Sequence, residues 1–241
     1  MRIDWRKTQG NLKVGIDGNP GDETFSALLR VVAAPQAKAA DILAMARALK
    51  TFAVPVADLT TPRRLAGYIS NTANETGGFT TFSEDLRYSA KRMAEVWPGR
   101  YRGADGKPNA KAIRLAGDPI AFANDVYGAR MGNERDGIDD NDGYDYRGLG
   151  PYGLTGFDNF NACERHTGIP FTTQPGLMAD PGIGTIGALS WYSRSGCNAL
   201  FDAGNSKGAR SMGNAGNPNQ KNPEGWPRVA AYEAQLLKVI A

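Results

Sequence analysis

The chain has 241 residues, 41% of them apolar and 22% charged, with a formal net charge of +3. That is enough for one sizeable core, or a large domain beside a small one, and it excludes a disordered or collagen-like chain. No window approaches the roughly 18 uninterrupted apolar residues of a transmembrane helix, and no apolar run follows the basic N-terminus as in a signal peptide. The expectation is a protein made and held in a cytoplasm, without stable membrane insertion.

The charge is unevenly spread. Residues 87–114 carry eight Lys/Arg against Glu95 and Asp105, and residues 129–146 carry six acids against Arg130 and Arg135. These stretches are either two solvated, mutually attracting faces or a basic wall beside an anionic polymer. Two cysteines, Cys163 and Cys197, do not make a disulfide framework, and buried free thiols are expected.

In chain order, residues 1–34 form a small unit. Ile3, Trp5, Leu12 and Val14 suit a helix or turn. Ile16-Asp17-Gly18-Asn19-Pro20-Gly21 is dense in turn formers. Asp22-Glu23-Thr24 opens a helix with acids in its first turn, and Phe25, Leu28, Leu29 and Val32 give it an apolar stripe. The Asp-Gly…Gly…Thr order followed by an Ala-Leu helix resembles the small peptidoglycan-binding modules of bacterial and phage cell-wall hydrolases. The alternative is a helical hairpin packed on the main domain. Residues 35–40 read as a linker, and 41–241 as the main domain.

A helix is predicted from about Ala40 to Phe52. Thr61 caps a second, with Pro62 at its first position. This helix carries Leu65, Ile69 and Ala73 and ends near Glu75, because Gly77-Gly78 does not prolong it cheaply. Residues 79–87 are loop or short hairpin, and Ser89 caps a helix to about Val96. Further helices are predicted from Asp118-Pro119 through Tyr127, at Asn159–Arg165, at Gly184–Ser195 and at Arg228–Ile240, and Asn198–Asp202 starts a further segment. Residues 132–153, 170–181 and 213–227 read as loops. No strand-period run of useful length occurs, so the class is mainly α.

Glu75 and Glu84 stand nine residues apart across the Gly77-Gly78 break. Two carboxylates held across an open turn is what hydrolysis of a glycosidic bond requires. The surrounding residues sharpen this. Ala73-Asn74-Glu75-Thr76-Gly77-Gly78-Phe79, then Glu84-Asp85-Leu86-x-Tyr88-Ser89-Ala90, then Tyr146-Arg147-Gly148-x-Gly150-x-x-x-Leu154-Thr155-Gly156, resemble the family 19 glycoside hydrolases, the chitinase-like enzymes widely used as phage endolysins. Tyr127-Gly128-Ala129-Arg130-Met131-Gly132-Asn133, Asn214-Ala215-Gly216, and Arg228 followed by Tyr232 fit the same pattern. The resemblance covers roughly residues 38–241.

It implies a lysozyme-like, chitinase-like helical domain with a substrate groove and an inverting mechanism on a β-1,4-linked aminosugar chain. Glu75 takes the general-acid position, Glu84 the general-base position, and Thr155 the hydroxyl that helps hold the attacking water. An inverting pair needs carboxyl groups about 6.5–9.5 Å apart. A proton on Glu75 near neutrality calls for burial or a neighbouring carboxylate, while Glu84 is expected to sit wetter. Tyr88, Tyr127, Tyr146, Asn214 and Arg228 are candidate groove residues, each with a plain packing role as the alternative.

Three positions depart from the family pattern: Asn74 where His is usual, Leu149 where a second Arg is usual, and Gly153 where a substrate-binding Gln is usual. The expected partner is the glycan strand of peptidoglycan, cut between N-acetylmuramic acid and N-acetylglucosamine. The expected setting is a phage-type endolysin, monomeric and released to the wall through a pore made by another protein. A chitinase, a non-catalytic wall-binding protein and a lytic transglycosylase are the alternatives.

No cofactor, metal or nucleic acid is expected. Gly148-x-Gly150-x-x-Gly153 lacks the βαβ surroundings of a dinucleotide site. A calcium loop around Asp140-Asn141-Asp142-Gly143 would place Ile138 and Leu149 at ligand positions. The single histidine, His166, supports neither a two-His zinc site nor a triad with an elbow motif.

Overall fold

The computed structural model describes residues 2–135, 137 and 140–241, so Asp136 and Asp139 of the acidic stretch, and Ile138, lie outside it. Among the described residues fourteen α-helices follow in order: α1 (Trp5–Leu12), α2 (Asp22–Arg30), α3 (Ala39–Ala57), α4 (Pro62–Glu75), α5 (Ala90–Val96), α6 (Pro98–Tyr101), α7 (Ala110–Leu115), α8 (Pro119–Tyr127), α9 (Asp142–Asp145), α10 (Phe157–Thr167), α11 (Pro181–Arg194), α12 (Cys197–Asp202), α13 (Ser206–Ala215) and α14 (Trp226–Val239). A 3₁₀ turn, Pro175–Ala179, precedes α11. Among the described residues β structure is confined to isolated bridges, and no helix is long and apolar enough to cross a membrane.

Two cores organise the molecule. The larger joins α2, α3, α4, α10, α11, α12 and α14 around Leu28, Leu29, Ile42, Met45, Leu49, Leu65, Ile69, Phe160, Leu189, Phe201 and Leu236. The smaller gathers Leu86, Met93, Tyr101, Ala112, Leu115, Phe122, Ala123 and Val126 from residues 86–126. Each fully buried Leu, Ile or Phe contributes about 1.5–3 kcal/mol from apolar burial. Both cores owe their stability to such faces rather than to helix propensity.

The N-terminal 34 residues share the larger core instead of forming one of their own. Phe25, Leu28, Leu29 and Val32 pack with the residues of α3 and α4. Backbone bonds tie the segment down: Ile3 N–H to Thr60 C=O (3.2 Å), Asp4 N–H to Ala241 C=O (2.6 Å), and Ala34 N–H to Gly78 C=O (3.0 Å). Gln9 is buried and donates to Asp17 Oδ1 (2.7 Å), which pins the turn at 17–19. The apolar stripe of α2 thus belongs to the larger core.

Local signals fix the elements around the cleft. The hydroxyl of Thr61 accepts from Arg64 N–H at the start of α4 (3.3 Å), and that of Ser89 accepts from Arg92 N–H at the start of α5 (3.2 Å). Two short helices, α6 and α7, and the longer α13 stand where no helix is predicted from the sequence. In α13 the buried residues are Gly208, Ala209, Arg210 and Ser211, small or polar throughout.

Cys163 and Cys197 are both free and buried, as expected. Burial pushes both thiols up, Cys197 to about 11. Among the described residues no group of His, Cys, Asp and Glu is arranged to hold a metal ion. Part of the basic stretch is internally compensated, since Arg100 and Lys111 both pair with Asp125 in α8.

Candidate active site

Glu75 is the last residue of α4, a helix whose buried face runs through Leu65, Tyr68, Ile69 and Ala73 into the larger core. The chain then turns sharply. Gly78 has φ +76°, and a Cβ there would lie 2.6 Å from Ala34 N, so glycine is required both for the conformation and for the close approach. Phe79 follows with φ +67°, an unfavourable conformation for a bulky residue. It is held by complete burial of the ring and by its N–H donating to Thr76 Oγ1 (2.9 Å). The direction in which Glu75 faces is thus over-determined by core packing.

Glu84 is held differently. Its strand-like segment pairs with residues 148–150: Glu84 N–H donates to Gly148 C=O (2.8 Å) and Gly150 N–H to Phe82 C=O (2.9 Å). Leu149 and Leu154 exchange backbone bonds (3.0 and 2.9 Å), which folds Thr155 back toward the same place. Tyr127 Oη donates to the Glu84 carboxylate, 3.2 Å from Oε1 and 3.3 Å from Oε2, and Gly148 N–H reaches Oε2 at 3.4 Å. A Cβ on Gly148 would lie 3.2 Å from Glu84 Oε2 and 3.6 Å from Thr155 Oγ1, so the absent side chain is what lets carboxylate and hydroxyl converge.

The three groups face one cleft of about 390 Å³, lined by Glu75, Thr81, Ser83, Glu84, Asp85, Tyr127, Gly148, Gly150, Gly153 and Thr155. Two acids and a hydroxyl thus border one open cleft, the kinds of group that protonating a leaving oxygen and activating a water call for.

The electrostatics reverse the expected wet and dry sides. Glu84 is half-buried, and burial pushes its carboxyl above the ordinary glutamate range; the Gly148 N–H, the Tyr127 hydroxyl and the Arg147 charge oppose that rise. Glu75 is the more exposed of the two. Its Oε1 forms an ion pair with Nη1 of Arg210. Arg210 is itself buried in α13 and anchored by its Nε donating to Glu224 C=O (2.7 Å). The physical reason is placement: Glu75 sits at a helix end open to the cleft, whereas Glu84 lies between the two cores.

Of the five candidate groove residues, Tyr127 lines the cleft, and it does so by gripping Glu84. Tyr88 packs in the smaller core against Trp97 and Phe122, with ring centroids 5.2 and 5.0 Å apart. Tyr146 is buried edge-on to Phe157 and Phe160 and donates its hydroxyl to Thr172 C=O (2.6 Å). Asn214 and Arg228 are exposed on α13 and α14 and do not line the cleft.

The departures from the family pattern also find their places. Asn74 packs its amide against Gly225. Leu149 is buried in the larger core and does not reach the groove. Gly153 lines the cleft with φ +60° and leaves that wall open. Sequence reasoning missed Arg210, although the helical spacing of apolar and charged residues over Ser206–Ala215 is a signal that could have found its helix, and it gave no role to Arg147, which lies inside the Tyr146-Arg147-Gly148 motif.

Comparison with solved structures gives the fold. Chitinase C from Streptomyces griseus HUT6037 superposes with a TM-score of 0.59 at 19% identity, over 92% of this chain and 94% of that one. The class IV chitinase of family GH19 from Zea mays gives 0.51 at 16% identity, over 91% of each chain. The chain therefore has the helical, lysozyme-like fold of family 19 chitinases. In sequence, a Haemophilus influenzae protein described as glycosyl hydrolase family 19 domain-containing is 32% identical over 105 residues, 43% of this chain and 48% of that protein. The chain thus matches about half the length of that curated relative. No family model matches the chain.

Proposed function

We propose that this protein is a glycoside hydrolase that cuts β-1,4 bonds of peptidoglycan glycan strands by an inverting mechanism, in the manner of a phage-type endolysin. The observation that carries the reading is the convergence of Glu75, Glu84 and Thr155 on one cleft. Glu75 is the general acid and Glu84 the general base; Thr155 helps hold the water that Glu84 activates. Attack by that water and protonation of the leaving oxygen break the bond without a covalent intermediate.

The exposed position of Glu75 gives substrate a part in the chemistry. A strand lying in the cleft covers Glu75 and excludes bulk water from around the bond to be cut. Arg210 holds the carboxyl group aimed while this happens. Glu84 needs no such cover, being positioned by Tyr127 and Gly148 before substrate arrives.

A chitinase is the rival reading, and it draws on the names of the solved neighbours. Purified peptidoglycan and chitin oligomers, offered separately to the wild type and to Glu75→Gln, separate the two. New reducing ends from peptidoglycan, absent with Glu75→Gln, are expected. Turnover of chitin alone refutes the peptidoglycan reading, and undiminished turnover by Glu75→Gln removes Glu75 from the acid role.

A further inference from the structure

Beside the catalytic cleft lies a second cavity of about 300 Å³, lined by Ser83, Glu84, Asp85, Leu86, Arg87, Pro119, Tyr144 and Arg147. Ser83, Glu84 and Asp85 belong to both cavities, so a strand running past the catalytic pair on that side enters the second. Its wall holds an unusually well fixed cation. The Arg147 guanidinium lies over the Tyr144 ring, 4.0 Å from the centroid. Its Nε donates to Ser83 Oγ (3.2 Å) and its Nη1 to Tyr144 C=O (2.8 Å). Three of its five N–H groups have no partner among the described residues. Glu84 and Asp145 are near enough to feel the charge, but no carboxylate of the described residues forms an ion pair with it.

A half-buried guanidinium, stacked and oriented by two neutral acceptors, is a preorganised fork for a carboxylate. Arg87 adds a second positive side chain to the same cavity. The two acids present are already engaged: Glu84 by Tyr127 and Gly148, and Asp85 Oδ1 by the Arg87 N–H (3.0 Å).

We propose that Arg147, with Arg87, forms a subsite for a carboxylate carried on a substituent of the sugar ring, next to the bond that is cut. This rests on the peptidoglycan reading and deepens it, because chitin carries no carboxylate to fill the fork. In peptidoglycan the carboxylate has two sources: the lactyl ether of muramic acid in strands stripped of peptide, and the stem peptide in intact strands.

The test is binding to full-length Glu75→Gln, which holds strands without turning them over. Calorimetry is run on intact and on amidase-stripped strands, each native and after carbodiimide amidation of its carboxylates. Amidation is expected to weaken binding by about tenfold for the source that fills the subsite. Adding Arg147→Gln abolishes that difference, and Arg147→Lys restores it in part, since an ammonium keeps the charge but not the fork. Equal binding of native and amidated strands, a comparison that needs no Arg147 variant, overturns the subsite while leaving the peptidoglycan reading intact. Arg147→Gln weakening native and amidated strands by the same factor also overturns it. Failure to bind any strand overturns the peptidoglycan reading and the subsite together.

Discussion

Glu75 and Glu84 are held by two different kinds of structure. Glu75 ends a 14-residue helix buried in the larger core, and its partner Arg210 comes from another helix, α13. Glu84 sits on an irregular segment between the cores and is held by a few backbone pairs, a tyrosine hydroxyl and the absence of a side chain at residue 148. The helical side fixes position through many small packing terms. The loop side fixes it through few, individually important contacts. A single substitution should therefore do more geometric damage around Glu84 than around Glu75, unless it removes a reacting group itself.

The largest effect expected is that of Glu75→Gln, which keeps the shape and deletes the proposed proton donor. General acids contribute roughly 10²–10⁴-fold, so kcat is expected to fall about a thousandfold with KM little changed. Next comes Gly148→Ala. The new methyl would sit 3.2 Å from Glu84 Oε2 and push the carboxylate out of line. A displacement of this kind costs on the order of a hundredfold in kcat, while the thermal midpoint should barely move. Arg210→Met on the helical side is expected to lower kcat by about tenfold, because the packed end of α4 still aims Glu75. It should also cost about 1–2 kcal/mol of stability as Glu224 C=O loses its donor. A greater loss from Arg210→Met than from Gly148→Ala would break the contrast between the two sides.

Tyr127→Phe is a smaller and more specific change. Burial already raises the Glu84 carboxyl, and the Tyr127 hydroxyl opposes the rise by bonding the ionised form. A general base works only when ionised, so activity is lost as pH falls through the Glu84 pKa. Removing the hydroxyl raises that pKa further. The acidic limb of the pH–rate profile is therefore expected to move to higher pH, with only a few-fold loss near neutrality. The smallest effect on activity is expected for Ser89→Ala, which removes a helix cap remote from the chemistry. It should cost about 1 kcal/mol by denaturant titration and leave kcat unchanged.

The same contrast explains what could be read from the amino-acid sequence. α4 announces itself through Thr61-Pro62, the spacing of Leu65, Ile69 and Ala73, and the Gly77-Gly78 stop, so the place of Glu75 was legible from local physics. Glu84 stood out as a second carboxylate across the Gly77-Gly78 break, but its role, and Thr155 altogether, came from motif resemblance, because the pairing that joins residues 82–84 to 148–150 is long-range and leaves no periodic trace. Arg210 was missed: its helix is amphipathic at helical spacing, but what it buries is Gly208, Ala209, Arg210 and Ser211 rather than large apolar residues. The protonation environment was misread for a related reason. Which acid is drier depends on where the two cores meet, and only the assembled fold contains that boundary. Tyr88 and Tyr146, read as groove aromatics, belong to packing, as aromatic residues most often do.

The central claim is that Glu75 and Glu84 act on one glycosidic bond through an activated water. Proton NMR of the first products from purified glycan strands tests it most directly. Inversion at a β-linkage predicts that the new reducing end appears first as the α-anomer and relaxes afterwards. A β-anomer as first product, or a 1,6-anhydro end in place of a reducing sugar, would contradict it.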